Sequence, residues 1–172
     1  GNALQITFCD ETGKVLLREI SGGGALTRKA RFFQALPGGG YRLKASFEAD
    51  PDEKIYGMGQ YQQEIWDLKG CNLELAHRNS QASVPFYLSS EGYGFLWHNP
   101  AVGEVHFGKN TTEWVANAAD KLDYWITAGK TPAQIERQYA DCVGKVPMMP
   151  EYGLGFWQCK LRYYTQQQVL DV

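Results

Sequence analysis

What most limits the fold of this chain is its punctuation. From the N-terminus to about Lys130, brief runs rich in aromatic and β-branched residues are bounded by Gly, Pro, Asn or Asp and recur roughly every ten residues. The stretch "LQITFCDETGKVLLREI" sets two apolar runs on either side of the turn-forming "DETGK", the pattern of a hairpin. In "RFFQALPGGGYRLKASFEA" a Pro-Gly-Gly-Gly breaker precedes the alternation Tyr41, Leu43, Ala45, Phe47, and "SVPFYLSSEGYGFLWHN" holds two apolar runs around "SSEGYG". "GEVHFG", "TTEWVANA" and "KLDYWITAG" continue the series. Strands this short and closely spaced leave no room for crossover helices, so they must pair antiparallel and bury one face each. The expectation is a mainly β, antiparallel sandwich.

A single segment has helical character. In "TPAQIERQYADCVGK", Thr131 can cap the first turn, Pro132 occupies the position where no amide bond is lost, and Gly144 can adopt the positive φ that ends the helix. Ile135, Tyr139, Cys142 and Val143 share one stripe, while Glu136, Arg137 and Asp141 point elsewhere, so the helix about 132–143 is expected to pack on one side. The following "KVPMMPEY" holds two prolines and reads as a rigid extended connector. A domain boundary is placed between Gly144 and Glu151, giving a sandwich domain 1–146 and a second unit 147–172.

That second unit begins a different architecture. "YGLGFWQC" is apolar on both alternating faces, as in a parallel strand covered on both sides, and Thr165 with Gln168 forms a T-x-x-Q capping box that starts a helix. Strand and helix make half of a βαβ unit, whose remaining sheet must come from residues outside this sequence. The expectation is a segment of a larger protein. Its apolar tail, with Leu154, Phe156 and Trp157, is expected to dock on the sandwich or to promote self-association. Trp157 itself is read as a core residue.

Composition removes several function classes. Seventeen basic residues balance 19 acidic ones without a long run of either sign, which provides no field for gathering nucleic acid or an anionic membrane. No apolar run approaches the roughly 20 residues that span a bilayer, and the N-terminal stretch lacks the pattern of a signal peptide, so a soluble protein is expected, cytoplasmic or periplasmic if bacterial. Cys9, Cys71, Cys142 and Cys159 lie far apart without a CxxC and read as buried free thiols. His77, His98 and His106 lack metal-ligand spacing and read as structural, and no cofactor is expected. "YGMGQ", "EGYGF" and "YGLGF" lack the third glycine of a pyrophosphate cradle and read as turns. Trp66, Trp97, Trp114 and Trp125 can form either a sugar-stacking platform or, as aromatics in a sandwich usually do, part of the core.

The order of motifs resembles one known family. "EKIYGMGQ", then "VPFYLSSEGYGFLWHNP", then the run from "DYWITAGKTPAQIERQYADCVGK" through "VPMMPEYGLGFWQCKLRYYTQQQ" is similar to glycoside hydrolase family 31, the α-glucosidase and α-xylosidase family, over about residues 54–172. The resemblance implies a galactose-mutarotase-like sandwich with one C-terminal helix, followed by the truncated start of a (β/α)8 barrel whose first strand begins at Tyr152. "FWQCKLRYYTQ" is closer to bacterial α-xylosidase-like members than to the common α-glucosidase pattern, in which Cys is followed by Arg and an aromatic.

The chemistry implied by this resemblance is retaining α-glycoside hydrolysis, which needs two carboxyl groups about 5 Å apart. In the family both come from later barrel strands, and no string like the nucleophile motif occurs here, so no catalytic residue is assigned. Loops after barrel strands form the catalytic face, which makes Gln158, Lys160, Leu161, Arg162 and Tyr163, with Cys159 among them, candidate substrate contacts. Leu161 falls where many α-glucosidases carry an aromatic, which weakens any transfer of glucose specificity. The family also sends a sandwich loop to the active-site rim. Its counterpart is "LELAHRNSQ", where Arg78 and Asn79 are candidates and Ser80 replaces the usual aspartate.

The expected partners are an oligosaccharide substrate and the remainder of the barrel. Two other classes stay open: a stand-alone carbohydrate-binding sandwich, which exposed tryptophans would favour, and an interaction module.

Overall fold

The computed structural model describes residues 4–22, 28–157 and 164–171. Its strands are β1 (Thr7–Cys9), β2 (Val15–Arg18), β3 (Arg31–Ala35), β4 (Tyr41–Glu48), β5 (Ile55–Gln60), β6 (Asn72–Leu75), β7 (Ala82–Ser89), β8 (Tyr93–Leu96), β9 (Gly103–Phe107), β10 (Thr111–Ala119) and β11 (Trp125–Ala128). They form a small hairpin β1-β2, a five-stranded sheet in the order β3-β4-β10-β9-β6, and a four-stranded sheet in the order β11-β8-β7-β5. Every described ladder is antiparallel. The expected antiparallel sandwich is what the chain forms.

Period-two alternation places its core. In β4 Leu43, Ala45 and Phe47 point inward and sit opposite Ala116, Trp114 and Thr112 of β10, so one face of the larger sheet is continuously apolar. The smaller sheet answers with Ile55, Met58, Tyr87, Tyr93 and Phe95. Aromatic rings bridge the two layers: Phe47 meets Phe95 edge-on at 5.5 Å and Phe95 stacks on Trp114 at 5.2 Å. Tyr41, first in the predicted alternation, is 42% exposed at the start of β4 beside the turn, with its ring edge-on to Phe33. Trp97 and Trp114 are fully buried, so two of the four tryptophans weighed as a sugar platform belong to the core.

The hairpin turn is specified by one side chain. Asp10 Oδ1 accepts hydrogen bonds from the Thr12 amide and hydroxyl and from the Lys14 amide, and the Thr12 hydroxyl bond is the largest influence holding the Asp10 carboxyl below its usual range. Beyond β2 the chain continues along β4, where Glu19 bridges Phe47. The Glu19 carboxylate is buried there against Arg31 Nε at 3.1 Å and the Ile6 amide at 3.0 Å.

Helix α1 (Pro132–Val143) starts and stops where its caps predict. Thr131 accepts from the Gln134 amide at 3.2 Å, and Gly144 ends the helix at φ 115°. Only the first half of the predicted stripe is used. Ile135 is buried and Tyr139 stacks on Phe86, whereas Cys142 is exposed and Val143 is 52% exposed, because the helix runs past the edge of the small sheet. The helix covers the outer face of β8, so that strand is buried on both sides and reads as the unbroken apolar run Tyr-Gly-Phe-Leu. Gly94 is required at this contact: a Cβ there would meet Ile135 Cγ2 at 2.6 Å and the Phe86 ring at 2.9 Å.

Several expectations are corrected. "YGMGQ" is not a turn but the strand β5, disguised by a bulge: Gly57, Met58 and Gly59 all have positive φ, and the register against β7 slips between Gly57 and Gly59. β6 is likewise not among the predicted strands, since four residues in which two leucines alternate with Asn72 and Glu74 carry little signal. Where a barrel strand is expected from Tyr152, the described residues hold a 3-10 helix, Glu151–Leu154. A parallel strand needs ladder partners on neighbouring strands, and among the described residues this segment has none. The predicted capping box is present, opening α2 (Gln166–Leu170), in which Thr165 and Gln168 exchange side-chain to backbone bonds. Leu154, Phe156 and Trp157 do not dock on the sandwich. They are 76%, 89% and 70% exposed, so Trp157 is not a core residue. Cys9 and Cys142 are exposed and Cys71 is half-buried, so the thiols are free but not the buried ones expected; Cys159 lies outside the described residues. Among the described residues no helix is long and apolar enough to cross a membrane.

Candidate functional site

Of the predicted site residues, Gln158, Lys160, Leu161, Arg162 and Tyr163 lie outside the described residues. Arg78 and Asn79 lie within them, at the connection from β6 to β7. This connection crosses from the five-stranded to the four-stranded sheet, so its tip must stand clear of both layers. Arg78 and Gln81 exchange backbone hydrogen bonds of 3.3 and 3.0 Å, which closes a two-residue loop of Asn79 and Ser80. Ser80 takes φ 66°, one of two positive-φ residues other than glycine among the described residues.

The loop is anchored on every side. Gln81 Nε2 donates to the Ala76 carbonyl at 2.9 Å, the Ser83 amide donates to His77 Nδ1 at 3.3 Å, and the Tyr61 hydroxyl joins the Glu74 carbonyl at 2.9 Å and Ser83 Oγ at 2.8 Å. Burial raises the Tyr61 hydroxyl pKa, so it stays neutral and able to donate. Arg78 reaches back to Glu74, with Nε at 3.0 Å from Oε2 and Nη2 bonded to the same oxygen. Both side chains are more than 45% exposed, so the pair adds little stability, but it fixes the direction of the guanidinium. Five N–H donors in a planar fork exceed what one carboxylate oxygen accepts, and the remainder suit sugar hydroxyls. Asn79 is exposed and carries both a donor and an acceptor, as a hydroxyl partner requires.

Beside this loop lies an open groove of about 510 Å³, whose walls include His77, Ser83, Leu96, Trp97, Asn99 and Tyr139. His98, which also lines it, is 3.3 Å from Asp123, whose carboxyl is held below its usual range first by Lys121 and then by His98. Each histidine is thus engaged locally, as the structural reading has it; His106 Nε2 is 3.4 Å from Glu104. Among the described residues no group of three or more His, Cys, Asp or Glu is placed to hold a metal ion. The arrangement presents the Arg78 guanidinium and the Asn79 amide to solvent on a fixed loop; it holds no assembled acid and nucleophile among the residues named.

Of the four tryptophans weighed as a sugar platform, Trp66 is the one set in solvent, 88% exposed at the end of the "QQEI" run after β5. Its signal was present: a tryptophan in a polar stretch without strand alternation has no core face to serve.

The glycosyl hydrolase 31 N-terminal galactose mutarotase-like domain matches residues 1–105. An uncharacterized family 31 glucosidase, ORF2, from Pseudescherichia vulneris is 52% identical over 98% of the chain, which spans 35% of that relative. A crystal structure of a GH31 α-xylosidase from a soil metagenome, complexed with xylose, superposes with a TM-score of 0.90 at 51% identity, covering 98% of this chain and 27% of the other. A xylosidase from Aspergillus niger gives a TM-score of 0.84 at 30% identity, covering 95% of this chain and 23% of its own. The chain therefore spans about a third or less of these proteins.

Proposed function

Because the chain belongs to glycoside hydrolase family 31, whose galactose-mutarotase-like N-terminal domain it carries, we propose that it is the sandwich-bearing segment of a retaining α-glycosidase, an α-xylosidase before an α-glucosidase. The observation that carries this reading is the similarity to the soil-metagenome α-xylosidase, at 51% identity over 98% of the chain. The boundary near residue 146 belongs to the same proposal, with residues 147–172 leading into a catalytic barrel.

In this reading the sandwich supplies a substrate rim and the barrel supplies the chemistry. Arg78 and Asn79 lie on a loop tied down at both ends, so a sugar they contact is met by groups already oriented, which lowers the entropy lost on binding. Gln158, Lys160, Leu161, Arg162 and Tyr163 are proposed as further substrate contacts. Two carboxyl groups about 5 Å apart, one nucleophile and one acid/base, come from barrel strands beyond this segment.

The test is hydrolysis of 4-nitrophenyl α-xyloside and α-glucoside by the full-length protein that contains this segment. Faster release from the xyloside is expected, with Asn79→Ala raising KM while kcat changes less. The 172-residue chain alone is expected to stay at background. Failure to hydrolyse either glycoside, or turnover by the isolated chain that a single Asp→Asn or Glu→Gln change abolishes, overturns the reading.

A further inference from the structure

Trp66 is exposed by construction. The residues that follow it are fixed: Asp67 Oδ1 accepts from the Ile55 and Lys69 amides, each at 3.1 Å, Oδ2 lies 3.0 Å from Lys54 Nζ, and Leu68 is buried with its amide bonded to the Ile55 carbonyl at 2.8 Å. On the other side Tyr61 is held by Glu74 and Ser83. The segment between these anchors therefore presents its indole outward instead of folding it onto the sheet, although Ile65 beside it is also 52% exposed.

Trp66 borders a groove of about 510 Å³, a volume suited to a small ligand. Its other walls include Tyr56, Gln60, Gln63, Glu64 and Ile65, and its floor includes Gly57 and Gly59. That floor is the bulge of β5. Gly59 could not carry a side chain, since a Cβ would lie 2.3 Å from the Ala82 carbonyl oxygen, and Met58 between the glycines sits at φ 68° with its side chain turned into the core. The bulge thus turns the Met58 side chain inward, while the close approach of β7 accounts for Gly57 and Gly59, and the two glycines line the groove with backbone alone. Strained, glycine-flanked backbone of this kind occurs at ligand clamps.

We propose that this groove is a pyranose-binding subsite for a neutral oligosaccharide, with the Trp66 ring as stacking platform and Gln60, Gln63 and Glu64 as hydroxyl partners. A flat aromatic face beside amides and a carboxylate matches a sugar ring, which offers an apolar C–H face edged with hydroxyls. Among the described residues the groove is lined by Glu64 and by no lysine or arginine, which favours a neutral sugar over an anionic one. The choice of probe rests on the α-glycosidase reading above; the site itself rests on Trp66 and the bulge.

The experiment is a titration of the 15N-labelled 172-residue chain with α-D-xylopyranosyl-(1→6)-D-glucose and, separately, maltotriose, following the Trp66 indole N–H, assigned with Trp66→Phe, in the parent and the backbone amides of Gln60, Gln63 and Glu64 in the parent and every variant. A saturable shift is expected, with affinity falling about tenfold in Trp66→Ala and staying within about threefold in Trp66→Tyr. Asn79→Ala is expected to leave the Trp66 shift intact. An 88% exposed side chain does not support the fold, so an unchanged thermal midpoint in Trp66→Ala accompanies the loss of binding. The proposal is overturned if neither sugar moves the Trp66 signal at about 50 mM, a concentration that still reveals very weak binding, if Trp66→Ala binds as tightly as the parent, or if the signal moves with protein concentration instead of sugar because a second copy covers it. Glycoside hydrolysis without Trp66 binding defeats this subsite alone; Trp66 binding without hydrolysis defeats the α-glycosidase reading alone.

Discussion

Tyr139 of the helix lies flat on Phe86 of the small sheet, with ring centroids 3.9 Å apart and planes inclined by 9°. Together with Ile135 over Gly94, this stack makes the helix part of the sandwich.

The first prediction tests that contact by adding and removing volume. Gly94→Ala drives a methyl into Ile135 and Phe86 and is expected to cost about 1–3 kcal/mol, while Ile135→Ala costs about 2–5 kcal/mol. The double variant is expected to be more stable than the sum of the two losses, because the added methyl occupies part of the space vacated. Urea unfolding of the four proteins checks this; strict additivity would show that the two residues do not share the contact.

A second prediction concerns the charge inside the smaller sheet. Glu53 is 5% exposed, with Oε2 at 2.8 Å from Lys69 Nζ and Oε1 at 2.5 Å from Ser89 Oγ and 2.6 Å from the Tyr93 hydroxyl. Glu53→Ala strands a buried ammonium and two hydroxyls, for an expected loss of about 3–5 kcal/mol. Glu53→Gln, which keeps an acceptor, and Glu53→Ala with Lys69→Met, which removes the orphan charge, are both expected to recover part of it. Chemical denaturation orders the three.

Alkaline stability follows from the same cluster. Burial first, and then the nearby Glu53 charge, raises the Tyr87 pKa far above 10.0; burial likewise raises Tyr93 well above it. The folded pKa values exceed the unfolded ones, so the full contribution is present below about pH 10. As pH rises further the unfolded chain loses these protons before the folded one does, and stability falls by about 1.4 kcal/mol per pH unit for each tyrosine. Tyr87→Phe is expected to flatten the decline between about pH 10 and 12 by that amount. An unchanged slope in thermal melts across this range would refute it.

The fourth prediction addresses the tail. Residues 151–157 place Tyr152, Leu154, Phe156 and Trp157 in solvent, each at least 70% exposed. Deleting 151–172 is expected to leave the thermal midpoint within about 2 °C and to lower any self-association seen by sedimentation. Loss of the folded near-ultraviolet signal would instead make the tail an integral part of the sandwich and move the boundary.

How much of this was legible in the sequence depends on whether the information is local. Turn chemistry and caps are: the Asp10 side chain, the Pro-Gly-Gly-Gly breaker, Thr131 with Pro132 and the Thr165–Gln168 box act within a few residues, and each stands where the sequence places it. Period-two alternation likewise identified the inward face of β4, since its side chains must point to opposite sides whatever they pack against.

Tertiary structure decided the rest, because it depends on which surfaces meet. β5 reads as a turn until the neighbouring Ala82 and Val84 backbone is seen to exclude a side chain at Gly59, and helix coverage of β8, not its own composition, explains why Gly94 is buried. Four tryptophans that read alike divide into Trp97 and Trp114 in the core, Trp125 at its edge, and Trp66 held in solvent by the bonds of Asp67 and Leu68. The apolar pattern from Tyr152 onward specifies no strand by itself, since a parallel ladder exists only where neighbouring strands supply its hydrogen bonds.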